Sequence, residues 1–207
     1  MRRSTDCLLV VDVQNDFMPQ GALAVPKGDA IVPLVNRIAA DFAVVVLTQD
    51  WHPAGHASFA SSHPGKKPYE TIRLPYGQQI LWPDHCVQGS PGAAFHAGLD
   101  IPHAQLVIRK GHHRKVDSYS AFLEADRKTK TGLDGYLKSR GVKRVFCAGL
   151  ATDFCVAWSA MDARRFGFQA VVIDDACRAI DTGGSLAAAW QGMKRAGVRR
   201  ISSAALL

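Results

Sequence analysis

Short, largely apolar runs punctuate the chain at residues 7–11, 43–47, 106–108, 145–148, 170–173 and 198–201. They favour Val, Ile and Leu and lack strict alternation, which predicts strands buried on both faces. Between several of them the apolar positions fall at helical spacing, at 31–40, 154–166 and 185–196. Gly141, Gly167 and Gly197 each stand just before a run, where a helix ends in a left-handed residue. Strands alternating with helices predict an α/β fold: a mainly parallel six-stranded sheet with helices on both faces, a Rossmann-like three-layer arrangement. The crossovers are expected to be right-handed.

The stretch at about 49–98 breaks this rhythm. It is rich in Pro, Gly, His and aromatic residues and carries little periodicity. An irregular stretch of that length inside a compact domain usually serves function. With no repeat or linker to divide the 207 residues, 1–207 is read as one domain with a metal- and substrate-binding insertion at 49–98.

Composition narrows the partners. Hydrophobic residues make up 47% and charged residues 21%, ordinary for a globular protein. The net charge of +7 raises nucleic acid as a partner, but the basic residues are scattered as pairs such as Lys66-Lys67 and Arg199-Arg200. That pattern predicts a solvated surface and no nucleic-acid binding. Five cysteines, odd in number and without a CxxC pair, argue against a disulfide framework or zinc ribbon. The run 7–11 meets Asp12 too soon for a signal peptide or membrane span. A cytoplasmic location and no membrane association are expected; a homo-oligomer is left open.

Ligands of open α/β sheets bind beyond the carboxyl ends of the strands, which directs attention to the polar residues after each run. There lie Asp12, the pair Asp50 and His52, Lys110, and Thr152-Asp153-Phe154-Cys155. Thr152 or Asp153 is expected to cap the following helix and leave Cys155 in its first turn, where free amides and the macrodipole favour a thiolate. Asp12 is placed to take the thiol proton and return it to a leaving amine, and Lys110 to hold charge nearby. Each also has a structural reading: Asp12 as a turn residue, Lys110 as a surface lysine, Cys155 as core. Asp50-Trp51-His52 offers two ligands on one side of an extended segment, and His85 is a candidate third. Asp plus two His suits one divalent ion: zinc first, with iron or manganese as alternatives. His56 is near enough to bind as well, although a supporting or structural role is favoured. Phe17 and Trp82 are candidates to sandwich a flat ring, with Tyr119 lining or supporting the same pocket.

Taken together, Asp12-Val13-Gln14-Asn15-Asp16-Phe17, Asp50-Trp51-His52-Pro53, Trp82-Pro83-Asp84-His85-Cys86, Arg109-Lys110-Gly111, Asp117–Phe122 and Ala151-Thr152-Asp153-Phe154-Cys155 resemble the nicotinamidases of the isochorismatase-like cysteine hydrolase superfamily. The resemblance covers about residues 8–180, with the motifs in order. It implies an Asp12, Lys110 and Cys155 triad, and a metal on Asp50, His52 and His85 beside the ring nitrogen of nicotinamide. It also implies a cis peptide at Leu150-Ala151, an oxyanion hole from the amides of Ala151 and Cys155, and substrate contacts from Phe17, Trp82, Leu150 and Tyr119. The implied activity is deamidation of nicotinamide to nicotinate and ammonia through a thioester, in NAD salvage, extending to pyrazinamide-like analogues. The alternatives are another superfamily amidase acting on a carbamoyl or ureido substrate, and a non-catalytic metal-binding protein on the same fold.

Overall fold

A computed structural model describes residues 3–206. All six apolar runs form strands of one parallel sheet. In chain order the elements are β1 (Asp6–Val11), α1 (Val32–Ala39), β2 (Val44–Asp50), β3 (Thr71–Leu74), β4 (Gly77–Ile80), β5 (Leu106–Lys110), α2 (Leu133–Ser139), β6 (Arg144–Leu150), α3 (Ala157–Arg165), β7 (Gln169–Arg178), α4 (Ser185–Arg195) and β8 (Arg199–Ile201). The sheet order is β5-β2-β1-β6-β7-β8. Every residue of β1 and β2 is buried, in keeping with the apolar runs at 7–11 and 44–47.

This order decides where a site forms. From β1 the chain steps to β2 on one side, whereas from β6 it steps to β7 and β8 on the other. Right-handed crossovers running in opposite directions put helices on opposite faces. They also leave a crevice beyond β1 and β6, where the direction reverses. Asp12 follows β1 and the Cys155 turn follows β6.

Two expectations need amendment. The 49–98 stretch holds an antiparallel hairpin, β3 with β4, besides short 3-10 turns at Ala60–Ser62 and Pro91–Ala93. Its strands are half exposed, so they lack the apolar signature of the main sheet. Helix α2 also went unpredicted. It is short, begins after a left-handed Gly132 and carries Gly135 within it, a poor helix former.

The predicted glycine positions hold: Gly141, Gly167 and Gly197 all have positive φ just after α2, α3 and α4. Gly149 matters more to the site. It adopts φ +123° opposite Val11, and a Cβ there would lie 2.1 Å from the Val11 carbonyl oxygen. Close β1–β6 approach therefore needs glycine. Gly149→Ala is expected to destabilise the protein by about 3 kcal/mol or more. A fall in the urea midpoint at unchanged m-value would register it; an unshifted midpoint would show that the two strands part freely.

Candidate active site

The strand ends converge on Lys110. Its side chain is fully buried, and its Nζ lies 2.8 Å from Asp12 Oδ2 and 2.9 Å from Asp50 Oδ1. The same ammonium donates to the Ser118 carbonyl at 3.2 Å and to Cys155 Sγ at 3.2 Å. Asp50 and Lys110 are register partners in β2 and β5, so strand pairing alone brings these charges together. Asp12 is fixed from β2: the Thr48 hydroxyl donates to its Oδ1 at 2.6 Å, and its own amide donates to Thr48 Oγ1. Asp12 Oδ2, beside the ammonium, makes no aligned hydrogen bond. Single ligand atoms of Asp12, Asp50 and Cys155 all fall within 4.8 Å of one another. Asp12, Lys110 and Cys155 thus meet as the sequence suggested.

Their electrostatics differ from the expectation of a resting thiolate. Burial pushes the Cys155 thiol well up, and Asp12 and Asp50 add to this against the pull of Lys110. The helix end does not outweigh two carboxylates in a dry site. Burial also raises the Asp12 carboxyl above its ordinary value, although Lys110 opposes the shift. A protonated thiol thus faces a carboxylate with enhanced basicity.

The turn that presents Cys155 also departs from prediction. Neither Thr152 nor Asp153 caps the helix; residues Thr152–Val156 form a wide π-helical turn leading into α3. The Asp153 carboxylate instead accepts from the amides of Ile180 and Asp181, at 3.1 and 2.8 Å, and from the Ser185 hydroxyl at 2.5 Å. The Leu150-Ala151 peptide is cis, as the resemblance implied. Leu150 itself is fully buried and does not line the pocket; Ala151, one residue on, does. Leu150 ends β6 with its side chain in the core, near Gly28.

Beside the triad, Asp50 Oδ2 lies 3.2 Å from His52 Nε2 and 3.5 Å from His85 Nε2. His52 Nδ1 hydrogen-bonds the Gly111 carbonyl at 2.9 Å, and His85 Nδ1 that of Pro83 at 2.8 Å. Carbonyls only accept, so each Nδ1 carries a hydrogen and each Nε2 is left to face Asp50. Two imidazole nitrogens and a carboxylate oxygen form a set suited to a divalent ion. The charges agree: Asp12 and Asp50 leave a buried negative excess over Lys110, which a dication offsets. Without a metal, Asp50 raises the His52 pKa despite the lowering effect of burial, and a proton on Nε2 takes the metal's place. His56 stays outside this set. Its ring packs on His52 at 4.3 Å, while its nitrogens engage Ser58 Oγ and the carbonyls of His113 and Val116.

A small cavity of about 330 Å³, counting its opening to solvent, adjoins both centres. Phe17, Trp82 and Tyr119 line it, as do Asp50, His52, His85, Ala151 and Cys155. Leu23, Asp117, Phe154 and Ile180 complete the wall, and the sequence reading gave none of these four a pocket role. Phe154 meets Trp82 edge-on at 4.9 Å, and the Trp82 indole donates to the Tyr119 hydroxyl at 3.0 Å. The first motif supplies further unforeseen positioning. Gln14 pairs with both backbone groups of Asp50 at 2.8 Å, and Asp16 accepts from the Cys86 amide at 2.7 Å, next to His85.

The description "Isochorismatase domain" belongs to the family model that matches residues 6–205. The chain belongs to the isochorismatase family. Within it, the chain is 58% identical to a nicotinamidase of Acinetobacter baylyi, over 100% of this chain and 97% of that protein. It superposes on a nicotinamidase/pyrazinamidase structure from Acinetobacter baumanii with a TM-score of 0.99, at 58% identity and 100% coverage of both chains. A pyrazinamidase of Pyrococcus horikoshii, solved in complex with zinc, matches at a TM-score of 0.79 and 36% identity, covering 96% of this chain and 99% of that one.

Gly111 gives the metal centre a sharp test. At φ +66°, a Cβ on it would stand 2.4 Å from His52 Cε1 and 2.7 Å from Nδ1. Gly111→Ala should displace the ring and weaken divalent-metal affinity about 10–100-fold, measured by chelator competition. Affinity equal to that of the unaltered protein would mean that the Gly111 contact does not orient His52.

Proposed function

We propose that this isochorismatase-family chain is an amidohydrolase that converts nicotinamide to nicotinate and ammonia, with Cys155 as nucleophile, in NAD salvage. The observation that carries this reading is the contact of one buried ammonium with Asp12, Asp50 and Cys155, which joins the nucleophile to the metal-donor set. The 58% identity to a nicotinamidase supports the substrate. Pyrazinamide, another flat ring bearing a carboxamide, falls within the same reading.

Substrate enters the aromatic pocket, where Phe17, Trp82 and Tyr119 hold the ring. We assign zinc to Asp50, His52 and His85, on the donor set and on the zinc complex of the Pyrococcus relative. Asp50, His52 and His85 would hold the ion, and it would supply an anchor for the pyridine nitrogen that orients the ring. The Cys155 thiol gives its proton to Asp12 as sulfur bonds to the carboxamide carbon. The carbonyl electron pair moves to oxygen, and the amides of Ala151 and Cys155 receive the oxyanion. As the tetrahedral adduct collapses, the carbon–nitrogen bond breaks and Asp12 returns the proton, releasing ammonia. Asp12 then takes a proton from water attacking the thioester. The carbon–sulfur bond breaks, nicotinic acid leaves and gives its remaining proton to solvent to become nicotinate, and the proton on Asp12 passes back to the Cys155 sulfur. Lys110 stays charged throughout and limits the build-up of negative charge between the carboxylates and sulfur.

No helix among the described residues is long and apolar enough to cross a membrane. All five cysteines are free, and we assign the reaction to the reducing cytoplasm.

Cys155→Ala should lower ammonia release from nicotinamide by at least about 10³-fold while the circular dichroism spectrum stays native. Full release by that variant would overturn the scheme. Asp12 must be ionised to act, and its carboxyl is raised above the ordinary 3.8. Accordingly, kcat/KM should fall as pH drops through an apparent value above 3.8. A profile flat down to that ordinary value would remove Asp12 as the base.

A further inference from the structure

Three of the four metal-capable donor clusters among the described residues draw on Asp50 or His52 and belong to the pocket above. The fourth stands apart: His112, His113 and Glu124, whose ligand atoms all lie within 4.8 Å of one another. The two histidines follow Gly111 on the loop after β5, and Glu124 comes from the segment beyond Phe122. His113 Nδ1 lies 2.7 Å from Glu124 Oε1, and the two imidazole rings lie against each other with centroids 4.1 Å apart. By contrast, His63, His96 and His103 each engage a single backbone group and join no cluster.

Glu124 is the unusual member. Its side chain is 2% exposed, whereas that of His113 is 50% exposed. Oε1 meets His113, but Oε2 is buried without any hydrogen-bond partner. A buried carboxylate oxygen left unsatisfied is costly and rarely tolerated without a reason. Burial raises the Glu124 carboxyl above its ordinary value, against the pull of His113. A cation arriving from solvent meets two imidazoles on the surface and a fixed oxygen donor beneath them. Two nitrogens and one carboxylate favour zinc, cobalt, nickel or copper over magnesium or calcium.

We infer that His112, His113 and Glu124 form a second divalent transition-metal site, distinct from Asp50, His52 and His85, with water completing the coordination shell. The ion takes the place of the hydrogen that His113 shares with Glu124. That proton leaves for solvent or, by tautomerisation, for Nε2. The site is one loop away from the pocket, because the carbonyls of Gly111 and His113 receive the His52 and His56 rings.

The test is zinc content by mass spectrometry after equilibrium dialysis of the full chain, at free zinc buffered below the level that single surface imidazoles bind. The unaltered protein should hold two equivalents, and His112→Gln, His113→Gln and Glu124→Gln should each hold one. Asp50→Asn should keep one equivalent, which is then lost on adding His113→Gln. The histidine variants alter exposed side chains, so they keep the test valid if Glu124→Gln fails to fold. Circular dichroism and ammonia release should be unchanged in both histidine variants. Uptake in those variants equal to that of the unaltered protein would overturn the second site. So would an Asp50→Asn chain that binds no zinc while keeping its native spectrum.

Discussion

A lysine ammonium with no exposure to water is tolerable only because charge and acceptors surround it. Lys110 has two carboxylates at 2.8 and 2.9 Å, a carbonyl and a sulfur. Removing a buried charge from water costs several kcal/mol, and only close partners recover it. The two carboxylates and the sulfur come from the ends of β1, β2 and β6, while Lys110 itself ends β5. A slip of one residue in any of these strands would turn its side chains to the opposite face and strand a charge in the interior. The chemistry and the register of the sheet therefore enforce each other. The metal-donor set belongs to the same assembly, since Asp50 touches Lys110 with one oxygen and faces two imidazoles with the other.

Much of this was legible in the sequence because the inner strands of the sheet are buried on both faces. Short, largely apolar runs marked all six strands, and polar residues after several of them marked the rim. What escaped has identifiable causes. Helix α2 carries an internal glycine, and the β3–β4 hairpin is half solvated, so neither displays a clean period. Leu150 follows the strand it terminates and points into the core, while the cavity begins one residue later. Leu23, Phe154 and Ile180 are ordinary apolar residues whose facing is set only when distant loops pack. Asp153 looked like a cap by position, yet its carboxylate satisfies backbone amides across the fold.

Context also reversed one inference about charge. A cysteine in the first turn of a helix suggests a stabilised thiolate, but that argument counts only the helix. Burial, with the two nearby carboxylates adding to it against the pull of Lys110, moves the Cys155 thiol well up. Burial raises the Asp12 carboxyl as well, against the pull of Lys110, which strengthens it as a base toward the thiol proton.

The Asp153 carboxylate, which clasps the segment bearing Ile180, has a bearing on how substrate range can change. Through it the nucleophile's turn and one apolar side of the cavity travel as a single body. The Trp82 and Tyr119 side is likewise braced, by an indole-to-phenol hydrogen bond. Room for a bulkier ring must then come from the remaining edge, where Phe17 and Leu23 meet the cavity with hydrocarbon alone. Selection for new amides would be felt first at those two positions, far along the chain from the sulfur.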